Sequence, residues 1–346
     1  MPSLITLTDI QAAAARISGV AARTGLYRVE PERLGAAGVA ELPFALFIKA
    51  ESEQPIGSFK LRGAYNRIAQ LSAEELSRGV ITYSSGNHAQ GVAYAARALG
   101  AKAVIVMPEN APEVKIDATR ALGAEVVFVG PASSERKAKA EELSAAHGYT
   151  IIPPYDDPAI IAGQGTCGLE IVEQLGELAG GVVILSPVSG GGLLSGIATA
   201  VKLAIPDGAA VQVWGAEPEL AADAKESFET KTLVEWPAAK TTRTICDGLR
   251  TQSVGVLNFE HILRFVDGIV TVSEEEILAA MQAMLTATGL VAEPSGAVTL
   301  AAALYHRAEL PACERMVAVL SGGNIEPELR RELDAKVAST QGRVRV

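Results

Sequence analysis

The chain has 346 residues, 49% of them hydrophobic, enough to build one large domain or two ordinary ones and too apolar for a disordered chain. Its net charge is −10, and no run of lysine or arginine is long enough to track phosphates, which argues against a nucleic-acid partner. The three cysteines, Cys167, Cys246 and Cys313, are widely spaced and odd in number, which fits a reduced compartment better than a disulfide scaffold or a zinc site.

Residues 1–11 contain no basic region followed by an apolar segment, and nothing downstream resembles a membrane span, so a soluble cytoplasmic protein is expected. An apolar run over residues 44–49 reads as a strand, followed by Gly57-Ser58-Phe59-Lys60-Leu61-Arg62-Gly63. Ser58 reads as a helix N-cap, which puts Lys60 in the first helical turn. There the helix dipole opposes an ammonium by about 0.3–1 kcal/mol and favours the neutral amine, as suits a nucleophile for an aldehyde. A surface lysine after a turn fits the same heptapeptide.

Three segments then repeat one plan of apolar strand, glycine-containing loop and helix. The first runs through residues 80–83, Ser84-Ser85-Gly86-Asn87-His88 and a helix over 89–99. The second has residues 182–188, Ser189-Gly190-Gly191-Gly192 and a helix over 193–204. The third has residues 316–320, Ser321-Gly322-Gly323-Asn324 and a helix over 327–337. Strand-like runs at 103–107, 125–129 and 211–215, with helical patterns between, argue for parallel α/β construction. In such folds ligands bind at the carboxyl ends of strands, where all three loops fall. Ser273-x-x-Glu276 is a capping box opening a helix with Ile277, Met281, Met284 and Leu285 inward, the methionines as core. Residues 81–153 carry their own strand–helix alternation and are expected to form a small substrate-side domain inserted into a large one of residues 1–80 and 154–346. Residues 338–346 read as a polar tail.

Each loop has a chemistry. The glycines of 189–192 let the backbone turn and aim N–H groups at one anion, a phosphate by preference. No Gly-Lys-Ser/Thr follows, so this is not a Walker loop. A dinucleotide site competes, with Glu217 as the ribose acid, although Gly190-x-Gly192-x-x-x-Gly196 misses that fingerprint by one residue. A tight turn with nothing bound also fits. The loop from Ser84 to His88 has no cation and suits a carboxylate, and Asn87 can donate to a phenolate oxygen. His88 reads as loop-orienting more than catalytic, and His88, His147, His261 and His306 have no metal-ligand spacing. Ser321 suits either a helix cap or a ring nitrogen. Glu217 and Asp223 supply hard oxygens for a divalent cation, or form a solvated acidic loop.

Together, Gly-Ser-Phe-Lys60, the Ser-Gly-Asn-His loop, the Ser-Gly-Gly-Gly loop and the Ser-Gly-Gly-Asn loop, in this order, resemble one family. It is the fold-type II pyridoxal-phosphate enzymes, in their serine/threonine dehydratase and serine racemase branch. The likeness runs from Glu51 to Asn324 and includes Ala162-Gly163-Gln164-Gly165-Thr166 and Glu293-Pro294-Ser295-Gly296. It implies a tryptophan-synthase-beta-like α/β fold, two open parallel-sheet lobes with the active site between them.

Carried over by position, the resemblance makes Lys60 the Schiff-base lysine and the base for the α-proton, with Phe59 beside the ring. Asn87 would bond the cofactor's 3′-oxygen, Ser189, Gly190, Gly191, Gly192 and Leu193 would hold its phosphate, and Ser321 would meet its pyridine nitrogen. The substrate carboxylate would rest on Ser84, Ser85, Asn87 and His88, with Arg136 near the substrate hydroxyl. Ser85 matches the residue that reprotonates from the opposite face in racemases. Glu217, the Ala221 carbonyl and Asp223 fall where relatives bind Mg²⁺ (or Ca²⁺ or Mn²⁺). The activity implied is β-elimination of L-threonine or L-serine to 2-oxobutyrate or pyruvate and ammonia. Serine racemase and threo-3-hydroxyaspartate dehydratase are the alternatives, and a nicotinamide oxidoreductase built on residues 190–196 is the rival class. A homodimer is expected, and no C-terminal regulatory domain. The departures are Thr24-Gly25-Leu26 for the usual Thr-Pro-Leu, Tyr155 for the asparagine of animal racemases, and Lys137 for an acid beside Arg136.

Overall fold

Short apolar runs become strands and the alanine-rich or amphipathic stretches between them become helices in this computed structural model, which describes residues 3–343 apart from 85, 110, 112, 131, 132, 179 and 207. Ser85 therefore lies outside the described residues. The first third of the chain contains α1 (Leu7–Ile17), β1 (Leu26–Arg28), α2 (Pro31–Ala36), β2 (Ala45–Ala50), α3 (Lys60–Ile68), α4 (Ala73–Arg78), β3 (Val80–Thr82) and α5 (Asn87–Ala98). Next come β4 (Ala103–Pro108), α6 (Glu113–Ala121), β5 (Glu125–Val129), α7 (Ser133–His147), β6 (Thr150–Ile151), α8 (Pro158–Leu175), β7 (Val182–Pro187) and α9 (Gly192–Ala204). The rest comprises β8 (Val211–Pro218), α10 (Asp223–Thr230), α11 (Ala238–Thr241), α12 (Val256–Phe265), β9 (Gly268–Val272), α13 (Glu274–Thr288), α14 (Pro294–Tyr305), β10 (Arg315–Leu320) and α15 (Pro327–Arg343). No helix among the described residues is long and apolar enough to cross a membrane.

The strands form two sheets, one of six in the order β1-β2-β10-β7-β8-β9 and one of four in the order β5-β4-β3-β6. Every pairing is parallel except β1 with β2. That antiparallel edge strand is an addition to the parallel construction the sequence indicates. It is three residues long and half exposed, too short for a periodicity to announce it. The central strands β4 and β7 are buried at every position, as parallel strands covered on both faces must be. Because β2, β10 and β7 run parallel, the segments that follow them leave the six-stranded sheet at one edge. Those segments carry Lys60, Ser321 and the 189–192 loop. The loop after β3 leaves the corresponding edge of the four-stranded sheet, whose strands all lie within residues 80–151.

Between the sheets, α3 packs on both sides. Its Ala64 and Ile68 join the core of the four-stranded sheet with Val92 and Ile105. Its Gly63 meets α8, where a β-carbon on Gly163 would stand 2.6 Å from the Gly63 Cα, so glycine alone permits that approach. Asp157 caps α8 by accepting from the Ala159 and Ile160 N–H groups at 2.8 and 3.1 Å, with Pro158 in the first helical position. The capping box of α13 forms as the sequence indicates, and Ile277, Met281 and Met284 are buried core.

α3 is also held by charges that no motif marks. Arg62 is fully buried and donates to both oxygens of Glu51 at 2.7 and 2.8 Å and to Glu170 Oε1 at 2.7 Å. Lys49, equally buried, donates to Glu170 Oε2 at 2.6 Å and to the Thr24 carbonyl at 2.9 Å. Burial by itself would raise the Glu51 pKa, yet the Arg62 charge and hydrogen bonds hold it down to about 2. Two cations and two carboxylates thus balance beneath the helix that presents Lys60.

Candidate active site

α3 opens at Lys60, but not as the local sequence suggests. Its N-cap is Phe59, which makes no side-chain cap. Ser58 is drawn into an antiparallel bridge with Gly322, and its buried hydroxyl has no partner among the described residues. Two further bonds fasten this strap, Phe59 N–H to the Ser321 carbonyl at 3.0 Å and Gly323 N–H to the Gly57 carbonyl at 2.9 Å. A tertiary pairing has overridden the capping preference, and it brings Ser321 beside Lys60.

The Lys60 ammonium donates to the Pro154 carbonyl at 2.9 Å and lies 5.2 Å from the Phe59 ring centroid. Withdrawal from bulk water lowers its pKa to about 8. Desolvation is thus the cause, where the sequence alone points to the helix dipole.

The residue after Pro154 leads to the glycine loop. The Tyr155 ring fills the space that a side chain at Gly190 would need, and its Cβ would stand 3.2 Å from one at Gly192. Burial pushes the Tyr155 phenol up to about 12, so it stays protonated. On the other side, Gly191 has φ +96°, and a β-carbon there would come within 2.8 Å of the Asn258 Cβ. The loop is therefore held between Tyr155 and α12 in a shape only glycines adopt. No side chain caps α9, so its first-turn amides, from Gly192 and Leu193 onward, face the loop without intrahelical acceptors. Open N–H groups at a helix start can hold an anion. Ser189 Oγ and Thr251 Oγ1 lie 2.7 Å apart at the rim of this loop, and nothing in the sequence marked Thr251.

α5 likewise starts without a side-chain cap, at Asn87 behind Gly86, and Ser84 Oγ accepts weakly from the Gly86 N–H at 3.4 Å. The Asn87 amide donates to Glu293 Oε1 at 2.7 Å and accepts from Asn324 Nδ2 at 2.7 Å. His88 is buried, and its Nε2 donates to the Ile152 carbonyl at 3.0 Å. Burial, with the Lys60 charge adding to it, drops the imidazole to about 3, so the ring is neutral and committed to that carbonyl. Arg136 sits half-buried in the first turn of α7, where burial lowers its pKa. Ser321 is buried at the end of β10, its hydroxyl at a long 3.5 Å from the Ser295 carbonyl.

Glu217 and Asp223 are not a solvated acidic loop. They are 0% and 1% exposed, and Glu217 Oε2 and Asp223 Oδ2 have no hydrogen-bond partner among the described residues. Burial, then the neighbouring Asp223 charge, raises Glu217 well above the usual carboxylate range. Asp223 is pushed up to about 7, chiefly by burial. Ala221, in the short 3₁₀ turn Glu219–Ala221, is buried between them. No group of three His, Cys, Asp or Glu side chains fit for a metal occurs among the described residues. Two hard carboxylates with unpartnered oxygens nonetheless fit a divalent cation completed by backbone carbonyls.

The structure thus draws Lys60, Ser321, Asn87 and the glycine loop towards one another through Pro154–Tyr155, the 58–322 strap and Glu293. The family described as pyridoxal-phosphate dependent enzyme matches residues 22–322. The L-threo-3-hydroxyaspartate ammonia-lyase of Saccharomyces cerevisiae is 38% identical over 93% of this chain and 94% of its own. The serine racemase of Schizosaccharomyces pombe is 38% identical over 94% of this chain and 96% of its own. The solved serine racemase of Dictyostelium discoideum superposes with a TM-score of 0.83 at 37% identity, covering 94% of this chain and 100% of that one. On this match and these identities the chain belongs to the pyridoxal-phosphate dependent enzymes, in the serine/threonine dehydratase–serine racemase group of fold-type II.

Proposed function

We propose that the protein deaminates L-threonine or L-serine, eliminating the β-hydroxyl as water that is regained when the released enamine hydrolyses, to give 2-oxobutyrate or pyruvate and ammonia. The observation that carries the reading is the Lys60 amine, lowered to about 8 and fastened to Pro154 between the uncapped α9 cradle and the neutral hydroxyl of Ser321. Bound pyridoxal phosphate supplies the electron sink that makes an amino acid's α-hydrogen acidic. Lys60 then works as the base that takes the α-proton, since an amine with a pKa near the working pH is substantially free to accept it. The amides of Gly190, Gly191, Gly192 and Leu193, with Ser189, grip the phosphate, and Tyr155 shields that grip from water. The open N-terminus of α5 receives the substrate carboxylate on Ser84 and the Asn87 and His88 amides. Ser321 would bring a neutral hydroxyl, and no negative charge, to the ring nitrogen, which would temper the electron sink and suit loss of the β-hydroxyl.

The test is purified protein with pyridoxal phosphate given L-serine, D-serine, L-threonine and threo-3-hydroxyaspartate, with ammonia, 2-oxo acid and serine chirality measured. Ammonia and 2-oxobutyrate from L-threonine are expected. Inversion of serine without elimination would replace the lyase reading by a racemase, and turnover of the diacid alone would give the activity named for the yeast relative. Borohydride should fix the cofactor on Lys60, which a nicotinamide enzyme would not allow.

We also propose that Glu217, Asp223 and the Ala221 carbonyl hold Mg²⁺ or a similar cation. Without one, both raised carboxylates favour the protonated folded state. The unfolded chain then holds fewer protons, so stability falls as pH rises from the unfolded aspartate value of 3.8 through about 7 for Asp223. Added Mg²⁺ should raise the thermal midpoint at pH 8 and have little effect at pH 5, and Glu217→Gln should abolish the increase. An equal effect of Mg²⁺ on both proteins would place the ion elsewhere.

A further inference from the structure

Asn87 has both ends of its amide engaged, Nδ2 with Glu293 Oε1 and Oδ1 with Asn324 Nδ2, each at 2.7 Å. Asn324 is itself anchored by donating to the Ile56 carbonyl at 2.9 Å. Turning the Asn87 amide over would set N–H against N–H at Asn324, and oxygen against oxygen at Glu293 once that carboxyl is ionised, so one orientation is favoured. In that orientation one Asn87 N–H remains uncommitted to Glu293.

Glu293 is placed to enforce this. It is 5% exposed, it is the N-cap residue of α14, and its own N–H donates to the Gly322 carbonyl at 3.1 Å. A side chain at Gly322 would collide with Glu293 Oε1, so the carboxyl is closely packed against the loop that carries Ser321. The charged groups around it are Asp247, which follows Cys246 in a short 3₁₀ turn, and Lys115 of α6, which is ion-paired to Asp247 and, at 3.3 Å, to Glu326. Burial first, then the Asp247 charge, pushes the Glu293 carboxyl up to about 8.

We propose that Glu293 is the positioning residue that locks the Asn87 amide, so that the remaining Asn87 N–H is presented to a phenolate oxygen of the ligand held by Lys60. This deepens the reading of the cleft as a pyridoxal-phosphate site and rests on it. Glu293 does not touch the reacting atoms and acts only through Asn87.

The proposal is tested by titrating pyridoxal phosphate into apo-protein and following its visible band as a function of pH. Glu293→Ala should weaken cofactor binding by about tenfold, the worth of one hydrogen bond, and Asn87→Ala by a similar factor. The double variant should bind no worse than Asn87→Ala, because the two residues act in series. Glu293→Gln keeps the acceptor oxygen and should bind within about threefold of wild type. Wild type should show a change in the visible band near pH 8 as Glu293 titrates, and Glu293→Gln should lack it. Additive effects in the double variant, or a band in Glu293→Gln that still titrates as wild type does, would overturn the role of Glu293. Should Glu293→Ala not fold, the Glu293→Gln titration decides alone. Wild-type protein that binds no pyridoxal phosphate would instead defeat the reading of the cleft.

Discussion

Lys60→Ala is expected to lower ammonia release from L-threonine by at least about 10³-fold, within the range that a positioned acid–base group supplies. The loss should fall on kcat, because the glycine loop and the α5 N-terminus, proposed to hold phosphate and carboxylate, do not involve the Lys60 side chain. Folding should survive, since the side chain makes one hydrogen bond, to the Pro154 carbonyl. A small primary amine added to the variant should restore part of the rate by taking the vacated place. Retention of a tenth of the wild-type kcat in Lys60→Ala would mean that another group takes the α-proton.

The largest effect on stability is expected at the buried charges beneath α3. Arg62→Met strands Glu51 and leaves Glu170 with Lys49 alone, in surroundings where Arg62 and Glu51 are both wholly inaccessible to water. Removing one partner of a buried pair costs about 3–5 kcal/mol, mostly because the remaining charge is uncompensated. Urea unfolding monitored by circular dichroism should show that loss, and a change under about 1 kcal/mol would show that Glu51 takes up a proton at little cost. The pH dependence has a definite sign. Glu51 is lowered from 4.5 to about 2, so the folded state binds fewer protons than the unfolded chain. Its contribution is complete above pH 4.5 and disappears as pH falls towards 2, and the acid limb of the stability curve should flatten in Arg62→Met.

Arg62 sits two residues from Lys60, in the same heptapeptide, yet only the lysine is legible there. A lysine after Gly-Ser-Phe has a local meaning, because turn, helix start and amine are all written within a few residues. Arg62 has none until Glu51 and Glu170 are folded against it. The same contrast runs through the cleft. The 189–192 loop is readable because positive φ at Gly191 and an open helix start are properties of the loop itself. Thr251 and Glu293 are not, since their relevance comes from Ser189 and Asn87, far along the chain. Ser58 misleads for a related reason, as a bridge to Gly322 displaces the local capping preference.

By itself the sequence determined the alternation of strands and helices, the three loops at strand ends, a lysine at the start of a helix, and the family. All of these depend on interactions spanning a few residues, and their preferences survive in any tertiary context. Only the tertiary structure decided the antiparallel edge strand, the burial of Glu217 and Asp223, the neutral commitment of His88 to Ile152, and the Glu293–Asn87 contact. Each depends on desolvation or on a partner brought close by packing, and neither quantity exists before the two sheets and α3 have come together.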